Sequence, residues 1–544
     1  MRYLSENKRE DMRMKKRTAA RSMAALMGAA MVLTACGGGN TTAPTTGAYS
    51  GGETQTASES AESGKITKTD IVVGQASDIV TLDPAGQQDT TSGVLMKHAY
   101  STLLDVDNEG KVVPDLAESY EMKSDTEYVF KLREDACFWD GTPVTAQDVK
   151  FSLDRAKGMP KTKSNTSKIE EVTVNGDHEV TIKLTEPYAA FKTIVTQHNL
   201  SILSEKAVTE AGDSYGDVDN LLGSGPFKVT EWVPNDHYTL VRNDNYWGEM
   251  PIATSITCRV IPEGSARTIA LEAGEIDVVW SVDPTDCANV ESNPDVKLLS
   301  QPSTGIDYVG MNTQKEKFSD KRVRQAINYA LDKQTFVDTI IEGRGLVANS
   351  YINAAIPGWT DEVEAYPYDP EKAKELLAEA GYPDGFECSI FVNGDLRTRS
   401  AQILQAQLAD VGIKVDISTY EWGALLDTLN AGEHEMFLLG WSNTSFDPDG
   451  STYQLFYSGN HGATGNRAFF SNDKVDELIL SAQRESEESK RMELYKELQF
   501  VLHEESPWCP LYYKENNVGV RADLKGFTLH AGAQHYLGNC HYEE

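Results

Sequence analysis

LREDACFWDGTPVTAQDVKFSLDR (residues 132–155) packs two structural signals into 24 residues. Asp140-Gly141 followed by Pro143 reads as a turn, because glycine accepts backbone angles closed to other residues and proline fixes its own. Thr145 followed three residues later by Asp148 reads as a capping box, with Asp in the place of the usual Glu. A helix is therefore predicted after Thr145. The segment is a turn feeding a capped helix.

The same punctuation recurs on both sides of it. DIVVGQA (70–76) reads as a short buried strand, and VTVNGDHEVTIKL (172–184) as a hairpin turning at Asn175-Gly176. One long helix is predicted over 320–342, capped by Ser319 and stopped at Gly343, with Val323, Ile327, Ala330 and Leu331 on one face. A second runs through YDPEKAKELLAEAGY (368–382), capped by Asp369, opened by Pro370 and ended at Gly381. The two glycines of GSGPF (223–227) read as a tight turn. Strands and helices mixed throughout, with no repeat period, make this an α/β protein.

The first 64 residues read differently. Lys15, Lys16, Arg17 and Arg21 precede an apolar run from Ala24 to Leu33, and small residues lead to Cys36. A run of about ten residues is half the roughly 20 a membrane-spanning helix needs, so this is the layout of a secretory signal. Translation is expected to start at Met12 or Met14. LTACG resembles a bacterial lipoprotein box, which implies lipidation at Cys36. Residues 37–64 are rich in Gly, Thr, Ser, Ala and Glu and read as a flexible tether. About 480 residues follow, enough for two or three domains. No later apolar run approaches membrane-spanning length.

The chain carries a net charge of −33, and residues 1–35 are net basic, so the remainder is more acidic still. That balance argues against nucleic acid and anionic headgroups as partners. Cys137, Cys258, Cys287, Cys388, Cys509 and Cys540 show no CxxC pair; they are read either as disulfides, which export permits, or as buried thiols. His530, His535, Cys540 and His541 match no zinc spacing well, and no metal or cofactor is expected. Phosphate-loop, dinucleotide, zinc-protease and nucleophile-elbow motifs are missing, so no catalysis is expected.

At residues 132–155 the chain resembles the extracytoplasmic solute-binding proteins of family 5, the peptide, nickel and oligosaccharide receptors of ABC importers. SDIVTLDP (77–84), VVPDLAESY (112–120) and GSGPFKVTEWVPNDHYTLVRNDNYWG (223–248) are similar to further family blocks. So are ARTIALEAGEIDVVW (266–280), YVGMNTQKEKFSDKRVRQAINYALDK (308–333), AQILQAQLADVGIKV (401–415) and GNRAFFSNDKVDELI (465–479). The resemblance implies a two-lobed periplasmic-binding-protein fold of type II. Its domains would be a signal peptide (1–35), a lipidated tether (36–64), lobe I (65–305 and 511–544, with an extra subdomain at 103–222) and lobe II (306–510). It implies a monomer, anchored by lipid to the outer face of the cell membrane, that passes its solute to a permease and ATPase.

Peptide-binding members carry an amine-pairing Asp three residues after the Trp of a Gly-Trp motif. Here that Trp is Trp441, and the position is Thr444. Asp447 either takes the role or shapes a turn with Pro448. The carboxylate-binding Arg of dipeptide receptors falls near Phe391; Arg397 and Arg399 are the nearby substitutes, although Arg399 reads equally as a solvent-facing or capping residue. Trp280, Trp422, Trp441 and Tyr453 either wall the cleft or pack the core. Peptide or glutathione is the leading ligand. The alternatives are a sugar or oligosaccharide, nickel through His434 and His461, or a sensing lipoprotein that reads its ligand for a signalling partner.

Overall fold

Two long strands tie the molecule together in the computed structural model, which describes residues 65–544. Val296–Met311 and Trp508–Arg521 run antiparallel at the centre of an eleven-stranded sheet. On one side the sheet continues through Val278–Val279, Asp70–Gln75, Ser255–Val260, His237–Arg242 and Phe227–Val233. On the other it continues through Met436–Ser442, Glu387–Val392 and Lys414–Thr419, and the eleventh strand, Gly345–Val347, pairs with Trp508–Arg521 off this path. The central pairing slips twice, between Pro302 and Ile306 and again between Asp307 and Tyr308, and the first slip is the larger. Pro302 faces Glu515, but the next partner pair is Ile306 with Tyr513, so Ser303, Thr304 and Gly305 bulge opposite Lys514. A bulge bends the strand that carries it.

Two lobes hang from this sheet, each with its own apolar interior. In the first, Ile71, Val73, Ile256 and Cys258 pack with Val518, Val520 and Cys540 from the chain's end. In the second, Val309, Val323, Ile327, Ile390, Leu404 and Leu438 form one cluster, and Tyr308, Phe437, Tyr495 and Trp508 another. A separate four-stranded antiparallel sheet, ordered Ala117–Ser124, Glu127–Leu132, Glu179–Leu184, Ile169–Gly176, packs on the helix Ala146–Lys157.

The decisive segment folds as its residues dictate. Asp140 accepts from the Thr142 amide, and Thr145 and Asp148 form the reciprocal capping box. Asp369 caps Pro370–Glu379. Four local readings are corrected. The hairpin at 172–184 turns at Asp177-His178, two residues later than Asn175-Gly176, with Gly176 paired to Glu179. The long helix is two, Lys321–Ala330 and Lys333–Thr339, because Leu331 is extended and Asp332 caps the second by accepting from the Gln334 and Thr335 amides. Its cap is Asp320, not Ser319. Gly223 and Gly225 serve close approach of two backbones: a Cβ on Gly223 would sit 2.1 Å from the Ala99 carbonyl oxygen.

All six described cysteines are free thiols, five of them buried. Among the described residues no helix is long and apolar enough to cross a membrane. The signal segment, Cys36 and the tether lie outside the described residues.

Candidate functional site

A cavity of about 780 Å³ lies between the lobes and draws its walls from both. The lobes meet around its rim. Arg399 Nη2 lies 3.0 Å from both carboxylate oxygens of Asp283. The Tyr188 hydroxyl donates to Asp449, Gln454 to Asn165 and Thr444 to Gln197. Arg484 and Lys168 share Glu186.

Trp280, Trp422, Trp441 and Arg397 line the cavity. Trp280 stacks on His535 with centroids 5.1 Å apart, and its buried indole N–H has no hydrogen-bond partner. The Arg397 guanidinium lies 5.9 Å over the Trp422 ring, donates to Asn393 Oδ1 at 2.7 Å and lies 3.7 Å from Asp307. Trp441 is pinned by an indole bond to the Gly450 carbonyl.

Arg399, Asp447 and Tyr453 stand elsewhere. Arg399 is the rim contact just described. Asp447 is buried against Arg491, which donates to both its oxygens at 2.9 and 2.5 Å. Burial opposes the Arg491 charge, yet Tyr495 and the Asp447 carboxylate together raise its pKa above the ordinary value. Tyr453 bonds Ser167 across the lobe boundary and stacks on Tyr457. Two residues suggested for nickel are held by backbone: His434 bonds the Arg467 carbonyl, and His461 the Phe470 carbonyl. Burial pushes the His434 pKa down to about 4. Among the described residues no group of three or more His, Cys, Asp or Glu is arranged to hold a metal ion.

Several charged residues of the cavity were not picked out by sequence reasoning. Asp307 projects from the bulged central strand and is buried between Arg397 and Lys514, the latter 3.2 Å away. Asp89, at the start of the helix Thr90–Ala99, and Arg467, in the loop before the helix Asp473–Arg484, also line the cavity. The local signal of Asp89 was that of a cap. Arg467 lay inside the quoted GNRAFFSN block, but nothing in its immediate neighbours marks it as facing a cleft.

A model of the bacterial extracellular solute-binding proteins, family 5 Middle, matches residues 111–463. The chain is 32% identical over 479 residues to the glutathione-binding protein GsiB of Shigella boydii serotype 4, covering 85% of this chain and 92% of that one. Its fold matches the ABC transporter-associated periplasmic binding protein DppA of Helicobacter pylori in complex with the peptide STSA. The TM-score is 0.84 at 28% identity, over 88% of this chain and 99% of that one. The oligopeptide-binding protein AppA of Bacillus subtilis, in complex with a nonapeptide, matches with a TM-score of 0.81 at 26% identity, over 89% and 100% of the two chains.

Proposed function

The chain belongs to the bacterial extracellular solute-binding proteins of family 5, and on that premise we propose that it captures peptides or glutathione-like solutes outside the cytoplasm for an ABC importer. The carrying observation is an interlobe cavity of about 780 Å³ that combines tryptophan walls with buried charge of both signs. The size is that of a small-molecule site. Tryptophan faces accept varied side chains, and the charged groups match the charged ends and side chains of a peptide. A neutral glycan would leave Arg467 and Asp89 without ion-pair partners, at a desolvation cost nothing repays. Nickel is disfavoured by the backbone bonds of His434 and His461.

In this reading lobe I comprises 65–305 and 511–544, lobe II comprises 306–510, and the bulge at Ser303–Gly305 is where they hinge. Ligand works by being held better in the closed arrangement than in the open one. No bond in the guest is made or broken. The protein acts as a monomer, and Cys36 carries the lipid that tethers it to the outer face of the membrane, where it delivers its solute to the permease that the ATPase drives from the other side.

A thermal-shift and calorimetric screen of the protein with di- and oligopeptides, glutathione, oligosaccharides and Ni²⁺ tests this. At 100-fold over Kd a true ligand adds about 2.7 kcal/mol of stability. Shifts with peptides or glutathione are expected; shifts with glycans or nickel alone would overturn the reading, as would consumption of the ligand. In cells, Cys36→Ala is expected to free the protein from membranes, and retention would remove lipidation as the anchor.

A further inference from the structure

Three facts single out one corner of the cavity. Asp89 caps the helix Thr90–Ala99 through Oδ1, which accepts from the Ser92 amide at 2.9 Å. Its Oδ2 is buried with no hydrogen-bond partner, alone in this among carboxylate oxygens of the described residues. Burial lifts its pKa above the ordinary carboxylate value even though Ser92, Lys161 and the Thr91 amide favour the charged form, so that form is only partly compensated.

Arg467 is 6% exposed. It donates through Nε to Asn430 Oδ1 at 3.0 Å, and neither Nη atom has a hydrogen-bond partner among the described residues. A guanidinium this buried with two unused donor groups is set to receive an anion.

The two groups share this corner from opposite lobes. Gln88, beside Asp89, reaches Gln454 at 3.5 Å, and Gln454 also bonds Asn165. The Gln454 carbonyl underlies Gly465, two residues before Arg467, so closely that a Cβ there would come within 2.6 Å of it. Arg467 feels the Asp89 charge, yet the two form no ion pair. Lys161, half-buried, acts on both. The position where the family's peptide receptors keep their amine-pairing carboxylate holds Thr444, bonded to Gln197, and Asp447 is occupied by Arg491.

Resting on the peptide reading above, we propose that Asp89 and Arg467 clamp an α-amino-acid head group. Asp89 Oδ2 takes the ammonium, and the Nη atoms of Arg467 take the carboxylate on the same carbon. The ligand class is then a peptide joined through a side-chain carboxyl, as in a γ-glutamyl peptide. In an ordinary α-linked peptide the carbon bearing the amine carries a neutral amide instead, and Arg467 stays unpaired.

Calorimetric titration with γ-Glu-Cys-Gly and its isomer α-Glu-Cys-Gly tests the clamp, because the two differ in linkage alone. The γ isomer is expected to bind at least tenfold more tightly. Asp89→Asn keeps the cap, since Asn caps as well as Asp; it and Arg467→Gln are each expected to weaken γ-isomer binding at least tenfold and to erase the preference. Equal binding of the isomers to the unaltered protein would overturn the clamp while leaving peptide capture standing, as would binding of other peptides but neither isomer. Binding of no peptide at all would overturn both. Variants that weaken the two isomers equally, with melting temperatures unchanged, would show the residues to be architectural and also overturn it. If a variant fails to fold, the isomer comparison on the unaltered protein still decides.

Discussion

The two walls of the cavity are stabilised by opposite means. Behind the first lobe's wall lie neutral imidazoles. His98 accepts from the Leu537 amide and stacks on Tyr536, His535 accepts from the His530 amide, and His530 accepts from the Gly532 amide. Burial pushes His98 and His530 down to about 4, and His198 and His535 to about 3. In and behind the second lobe's wall lie paired charges, Asp307 with Arg397 and Asp447 with Arg491, and Lys514 reaches Asp307 from the first lobe. A buried neutral base resists protons; a buried ion pair resists loss of a partner. The same requirement, a rigid polar surface facing a cavity, is met in one lobe by withholding charge and in the other by balancing it.

Acid is the strongest way to separate the lobes. The four imidazoles, with His434 at about 4 in the second lobe, have folded-state pKa values below the unfolded value of about 6.5. Their contribution is present above pH 6.5 and is lost as the pH falls toward 4. Asp115, raised to about 7, and Asp449, raised to about 6, act in the opposite sense: their contribution is present below about pH 4 and is lost as the pH rises through those values. Near pH 5 these seven groups together bind about three more protons in the unfolded chain, a slope on the order of 4 kcal/mol per pH unit from them. Hydrogen exchange at pH 5 is expected to accelerate first in 65–305 and 511–544. Earlier loss of protection in 306–510 would break the contrast.

Next in size is Arg491→Met, which leaves the Asp447 carboxylate buried and unpaired. Denaturant unfolding is expected to show a loss of about 3–5 kcal/mol, largely recovered by adding Asp447→Asn. A cost below about 1 kcal/mol would mean that the pair is no more than a surface contact.

The smallest effect belongs to the rim. The Arg399 side chain is 37% exposed in its pair with Asp283, so Arg399→Ala is expected to cost under about 1 kcal/mol. It would shift ligand-free protein toward the open form in X-ray scattering while changing affinity less than about fivefold. Loss of all binding would place Arg399 on the ligand instead.

What the sequence made legible was whatever the chain decides within a few residues. The Thr145–Asp148 box, the cap and proline of Pro370–Glu379, and the strand at 70–75 are local contests with one clear winner. The break at Leu331 was hidden because Val323, Ile327, Ala330 and Leu331 keep helical spacing through it, and Asp332 is a cap set inside an unbroken pattern. Gly223 and Gly225 looked like turn glycines because the backbone that crowds them, at Ala99, lies more than a hundred residues away. The cavity residues divide in the same way. Trp280, Trp422, Trp441 and Arg397 were found through side-chain type and the family blocks. Asp89 and Arg467 gain their character from burial on facing lobes, which no short stretch records.

The shared sheet has a consequence for anyone who would dissect the molecule. Because Val296–Met311 and Trp508–Arg521 pair along most of their length through both lobes, with a break at the bulge, either lobe expressed by itself would bare long rows of unpaired amides and carbonyls. Such rows recruit other chains. The halves are thus poor candidates for separate production, and a split reporter built from them would fail by clumping before it could fail by losing its guest.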